Sequence, residues 1–307
     1  MFTNFFGINI VNTPISHLIV ISYFLGFINC SYVLKKTFFK KIKLSGMQDV
    51  FFPIFIFSIY ISLINIIFYL NVNAARIWTI LSYFIFLILI MVNYINIKKT
   101  LIYFYYLKLK NINKYILFFL ISYFLLSLLP ISDSDSLAYH SFFPVFAIKT
   151  GDISFLKNYE LIDHNLAFVG FGEIINFIGF SLGVENFGSF FNFLSLIFLY
   201  YFLNIFFISK NFKNTKNEIN YIFLCILSSP ILLPLVFSQK LFLFPSVLLS
   251  CVIYFFYKKN KFSLVDILIF SPILFFIIGS KISFLIVVSF FFSSYFLFFI
   301  KRKVFFQ

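Results

Sequence analysis

Apolar residues in this chain do not alternate with polar ones. They continue for about 20 positions at a time, the length a helix needs to cross a hydrocarbon core of about 30 Å. Nine such runs predict membrane-spanning helices, over residues 15–34, 50–70, 77–95, 115–131, 187–208, 219–237, 241–257, 264–280 and 283–300. The first is expected to stay in the mature protein, because nothing basic precedes it and it is too long for a signal-peptide core. A tenth apolar stretch, residues 166–183, is long enough for a crossing to be arguable.

The polar intervals decide that case. Lys35, Lys36, Lys40, Lys41 and Lys43 follow the first run, and Lys98, Lys99, Lys108, Lys110 and Lys114 follow the third. Lys210, Lys213 and Lys216, then Lys258, Lys259 and Lys261, then Lys301, Arg302 and Lys303 complete the basic clusters. If 166–183 does not cross, all five clusters face one side and only Arg76, Lys149, Lys157, Lys240 and Lys281 face the other. The positive-inside rule then makes the clustered side cytoplasmic. A crossing would put the last three clusters on the wrong side. The segment is therefore expected to lie in or near the outer interface, with the N-terminus outside and the C-terminus cytoplasmic.

Composition agrees with a membrane protein. Of 307 residues 62% are hydrophobic and only 11% charged, and mean hydropathy is +1.02. A soluble fold has no interior large enough for so much apolar surface. Soluble enzymes and secreted disulfide scaffolds are thereby excluded. The net charge of +14 reports topology, since the basic residues are spread over short intervals and form no nucleic-acid-binding face. Cys30, Cys225 and Cys251 all fall inside apolar runs, which suggests neither a disulfide nor a cysteine metal site.

Residues 132–186 become one long extracytoplasmic excursion, and acids gather there: Asp133, Asp135, Asp152, Glu160, Asp163, Glu173 and Glu185, out of ten Asp and Glu in all. A loop of this length between spans usually carries function. It opens with Ser132 or Asp133 as a helix cap, Asp135 in the first turn and Gly151 as a stop, so a short helix is expected there, bent at Pro144. Its aromatic and aliphatic residues suit a helix lying on the membrane surface. In the second helix, 166–183, Gly172, Glu173, Asn176 and Gly179 recur at three- and four-residue spacing and make one small or polar stripe.

Two carboxylates at the outer end of a span can serve a lipid-linked substrate whose tail stays in the bilayer. One accepts the proton of an acceptor hydroxyl as it attacks an anomeric carbon, and the other holds a divalent cation such as Mg or Mn or orients the acceptor. Lys240 and Lys281, both on the outer side, are placed to neutralise a phosphate. The same residues also have plain structural readings. Asp133 and Asp135 cap a helix and oppose its dipole; His140 and His164 are ordinary interfacial polar residues; Lys240 and Lys281 are snorkelling anchors.

The run Asp133-Ser-Asp135-Ser-Leu-Ala-Tyr139-His140 after a span ending Leu-Leu-Pro, followed by Pro144 and Lys149-Thr-Gly151-Asp-Ile, resembles the first outer loop of the GT-C superfamily of polyprenyl-phosphate-sugar glycosyltransferases. The likeness is to the bacterial branch of lipopolysaccharide-core and aminoarabinose transferases. Asp163-His164-Asn165 is similar to that family's second juxtamembrane helix, with Asn165 where proline is more usual. Ser238-Gln239-Lys240 and Gly279-Ser280-Lys281 resemble later outer positions.

The resemblance covers roughly 115–300. It implies an integral-membrane transferase with its active site on the outer face, and the apolar runs make the expected fold an all-α polytopic helix bundle of about nine transmembrane helices with two extracytoplasmic interfacial helices. Residues 1–114 form a three-helix extension and 115–307 the transferase-like unit. It carries the catalytic acid onto Asp135, then Asp133; Tyr139, His140, His164, Glu173, Lys240 and Lys281 are the residues expected to bind substrate. Implied partners are a polyprenyl-phosphate-linked sugar, an envelope glycan, lipid or protein acceptor, and the lipids of the inner membrane. A non-catalytic transporter or assembly scaffold is the competing class, although transporters place charges inside spans and these runs hold few.

Overall fold

A computed structural model describes residues 14–40, 44, 46–94, 112–129, 140–153, 170–208, 215–258, 263–281 and 283–305. Every regular element among them is a helix. In chain order these are α1 (Pro14–Phe38), α2 (Gly46–Leu70), α3 (Val72–Val92), α4 (Lys114–Ser127), α5 (Phe142–Thr150) and α6 (Phe171–Ser181). They continue with α7 (Phe187–Ile208), α8 (Thr215–Leu227), α9 (Leu232–Phe237), α10 (Leu243–Lys258), α11 (Leu264–Ser280) and α12 (Ser283–Phe305).

Helix ends are set by short polar residues. Asn71 caps α3 by accepting from the Ala74 N–H at 2.9 Å, and Asn113 caps α4 through Tyr115 N–H at 2.9 Å. Ser263 and Asp266 form a reciprocal capping box at the start of α11. Gly151 closes α5 in the left-handed region at φ 72. Gly183, at φ 74, turns the chain after α6. There the Val184 N–H donates to Gly179 O at 2.8 Å and the Gly183 N–H to Phe180 O at 3.1 Å, the pairing of a Schellman motif.

Four helical stretches are long and apolar enough to cross a membrane: Ser16–Phe38, Gln48–Leu70, Val72–Val92 and Phe187–Asn204. Shorter apolar helices surround them. The single run expected over 219–237 is broken into α8 and α9. Pro230 has no N–H to donate, and it pushes Ser229 away from helical backbone.

The interior is built from phenylalanine rings. Phe51 meets Phe270 at 4.8 Å between centroids, Phe255 meets Phe270 at 4.3 Å, and Phe24 meets Phe191 at 4.7 Å. With Phe57 of α2 against Phe191 of α7 at 4.9 Å, these pairs join α1, α2, α7, α10 and α11 into one core. The first three helices are part of it, for α2 packs on α11 and α6 as well as on α1 and α3. The outside is apolar too. Ile77, Phe84, Ile88 and Met91 on α3, Phe118 and Leu125 on α4, and Ile286 and Phe290 on α12 are all exposed. Exposed apolar surface on this scale belongs against lipid.

Two ends of the bundle are distinguishable. At one, Lys35 pairs with Asp49 at 2.6 Å and Gln48 donates to buried Asp266 at 2.7 Å. At the other lie the end of α2, the start of α3, α5 and α6.

The two short helices of that end differ from the surface-lying pair expected. In α5 the side chains of Phe143, Pro144, Val145, Ala147 and Ile148 are buried against protein, and Phe143 meets Phe68 of α2 edge to face with centroids 5.8 Å apart. In α6 every residue except Glu173 is buried, because α2, α3, α5, α7 and α11 all pack around it. A helix on a membrane surface keeps one face in lipid; α6 keeps none. At 11 residues and about 1.5 Å per residue it is also too short to cross a bilayer.

Candidate functional site

Glu173 is the only residue of α6 that reaches out of the core. It sits in the first turn, where a carboxylate meets the positive end of the helix dipole. Its Oε2 accepts from the Gly170 N–H at 2.9 Å, and its Oε1 lies 2.9 Å from His140 Nδ1. The pair keeps 26% of the His140 side chain and 19% of the Glu173 side chain exposed.

The position of His140 follows from Pro144. A proline cannot donate to the carbonyl four residues earlier, so the His140 carbonyl is left for another donor. The backbone answers with a π turn at His140 and Ser141 before α5 begins, and Asn176 Nδ2 donates to the His140 carbonyl at 3.3 Å. Pro144 therefore opens a carbonyl at the helix start instead of bending the helix midway. Glu173 and Asn176 lie three residues apart and share a face of α6, so one helix holds both the ring and the backbone of His140.

Asn176 continues the network inward. The same Nδ2 donates to Gln239 O at 3.1 Å. Gln239 Oε1 accepts from the Gly188 N–H at 3.0 Å, and Asn192 Nδ2 donates to the carbonyls of Leu235, Ser238 and Lys240 at 2.9, 3.2 and 2.9 Å. These bonds satisfy the non-helical stretch 238–242 between α9 and α10, where Ser238 and Gln239 are buried. Irregular backbone inside an apolar bundle survives only when protein supplies such partners.

Close packing needs glycine at the end of the polar stripe and just before it. At Gly179 a Cβ would collide with Phe187 Cβ, and at Gly170, just before the stripe, one would stand 2.9 Å from Gly279 O and 3.1 Å from Ser280 O; Gly172 has room, with Leu241 Cβ at an ordinary 3.4 Å. The N-terminus of α6 thus rests on the C-terminus of α11, positive dipole end on negative. Lys281 caps that end; it is exposed, with Nζ 4.8 Å from the Phe242 ring centroid.

Of the residues expected at the site, the structure brings His140 and Glu173 into direct contact. It sets the backbones of Lys240 and Lys281 on segments that pack against or bond to α6 and its neighbours. Asp133, Asp135, Tyr139 and His164 lie outside the described residues. Among the described residues no three His, Cys, Asp or Glu side chains gather. A Mg or Mn ion prefers several oxygen ligands, and both oxygens of Glu173 are already engaged, so the described residues do not make a cation site.

Asn192 and Gly188 were not among the residues expected at the site. Their signal was present: an asparagine inside an otherwise apolar span, four residues after a glycine, is costly unless it bonds inward.

No curated protein and no solved structure matches the chain. A model of the DUF1420 N-terminal domain matches residues 15–302, nearly the whole sequence. The chain belongs to the DUF1420 N-terminal domain family.

Proposed function

We propose that this protein is a membrane glycosyltransferase that moves a sugar from a polyprenyl-phosphate carrier to an envelope glycan, lipid or protein on the outer face of the inner membrane. In this reading α8 and α9 together make one broken crossing, which completes nine, with the N-terminus outside and the C-terminus cytoplasmic. Asp135, assisted by Asp133, supplies the carboxylate chemistry of an inverting displacement, and Lys240 and Lys281 balance the carrier phosphate.

The observation that carries the reading is the half-buried His140–Glu173 pair at the α5–α6 end of a bundle whose outer surface is largely apolar. The acid-bearing segment with Asp133 and Asp135 runs directly into His140 in sequence. A polar, ionisable contact kept partly open beside a membrane suits a substrate with a polar head and a greasy tail.

The test is to incubate the purified protein with polyprenyl-phosphate hexoses and pentoses and an envelope lipid fraction, following release of polyprenyl phosphate. Release that depends on the acceptor fraction supports the proposal; none with any donor sinks it.

Two features favour transport instead. The break between α8 and α9 and the irregular stretch 238–242, with Ser238, Gln239 and Leu241 buried, are of the kind that line transporter sites. Uptake of labelled lipid-linked sugar across proteoliposomes, without sugar transfer, would establish that alternative.

A further inference from the structure

Glu173 makes two different bonds with its two oxygens. One caps α6 through Gly170; the other meets His140 Nδ1 at 2.9 Å. A cap requires only the first. An ionised carboxylate accepts but does not donate, so the proton between the two side chains sits on Nδ1, and in the neutral ring the lone pair is left on Nε2.

The support behind this contact is unusually firm. His140 is held by its ring through Glu173 and by its carbonyl through Asn176 at 3.3 Å, both from a helix surrounded by protein. The ring is oriented yet reachable, with about a quarter of the side chain open (26%). Among the described residues no hydrogen bond reaches Nε2, and an imidazole fixed by a carboxylate at one nitrogen with the other open is a general base with its working tautomer selected.

We infer that His140 is the proton acceptor of this site and that Glu173 is its positioning residue. The inference rests on the glycosyl-transfer reading and assigns its proton step. The acceptor oxygen bonds the anomeric carbon and gives its proton to Nε2. The bond from that carbon to the phosphate oxygen breaks, and its electron pair leaves with the polyprenyl phosphate. The imidazolium so formed is balanced by the Glu173 carboxylate. His140 thus takes the proton that a carboxylate base would otherwise accept, and Asp135 and Asp133 are left to orient the acceptor.

The full-length chain, labelled with ¹⁵N-histidine in detergent micelles at alkaline pH, tests the assignment by two-bond proton–nitrogen spectra. The sequence has 3 histidines, and the His140→Gln variant identifies the signal. The expected result is a protonated Nδ1 and a bare Nε2, with that preference lost in Glu173→Ala and kept in Glu173→Gln, whose amide oxygen still accepts. Diethyl pyrocarbonate is expected to acylate His140, and undecaprenyl phosphate to prevent it. A protonated Nε2 in the native protein, a tautomer indifferent to Glu173→Ala, or a ring inert to the reagent overturns the inference. The native tautomer decides the matter even if Glu173→Ala does not fold. Acylation that undecaprenyl phosphate leaves unchanged counts against the lipid-phosphate donor while the dyad stands.

Discussion

Asn192 reaches the carbonyl oxygen of Lys240 at 2.9 Å across 48 positions, and the same amide nitrogen also serves Leu235 and Ser238. Its side-chain Oδ1 is buried with no hydrogen-bond partner among the described residues, so the amide acts as a donor. Replacing it with Leu strands up to three buried carbonyls, and a loss of about 2 to 4 kcal/mol follows. Asn192→Asp is expected to be worse, because it turns a donor into a charge facing carbonyls. Unfolding in mixed detergent measures both; an unchanged midpoint for Asn192→Leu would show that the clamp is dispensable.

Gly188 stands where nothing larger fits. A Cβ there would collide with Asn176 Oδ1 and lie 2.5 Å from Gln239 Oε1. Gly188→Ala therefore has to displace both amides, with a cost of about 1 to 3 kcal/mol. Since Asn176 also holds His140, the variant is expected to lower diethyl pyrocarbonate labelling at His140 as well as thermal stability. Loss of stability with normal labelling would uncouple the two.

Much of this architecture was legible. Runs 187–208 and 264–280 match α7 and α11, and Gly151 ends α5 as its position after Lys149 and Thr150 predicts. The burial of α6 was legible as well, and the charge count obscured it. Ile174, Ile175, Phe177, Ile178 and Phe180 leave little but Glu173 and Asn176 for a polar face, and a helix apolar on nearly all sides belongs in a core. The break at Pro230 was hidden because a hydropathy average passes over a missing N–H. The contact between His140 and Glu173, 33 positions apart, could not be read, because it exists only once α5 has packed on α6.

At the opposite end, Asp266 is buried and accepts from Gln48 Nε2 at 2.7 Å and from the Ser263 N–H and Oγ–H, each at 2.7 Å. It ties α2 to α11 while capping α11. Asp266→Ala is expected to cost about 2 to 3 kcal/mol, since it removes a cap and a partner of a buried amide together. Because this lies far from His140, the histidine tautomer is expected to be unchanged. A shifted tautomer in Asp266→Ala would contradict the separation of the two ends.

The proposed orientation places Lys36 inside and Thr150 outside. Single cysteines at these two exposed positions, in a chain whose Cys30, Cys225 and Cys251 are replaced by Ser or Ala, are expected to react oppositely with a membrane-impermeant maleimide. In intact cells the cysteine at 150 is labelled, and the one at 36 only after permeabilisation. The reverse pattern would put the His140–Glu173 pair on the cytoplasmic side and remove the outer-face reading.

The central claim is best tested by comparing polyprenyl-phosphate release from a lipid-linked sugar by the native protein, by Asp135→Asn and by His140→Gln, each shown to be folded by its unfolding midpoint. The account predicts a fall of about 10²-fold or more in both variants, with a control Lys36→Gln unaffected. Native-level release by both folded variants would contradict it.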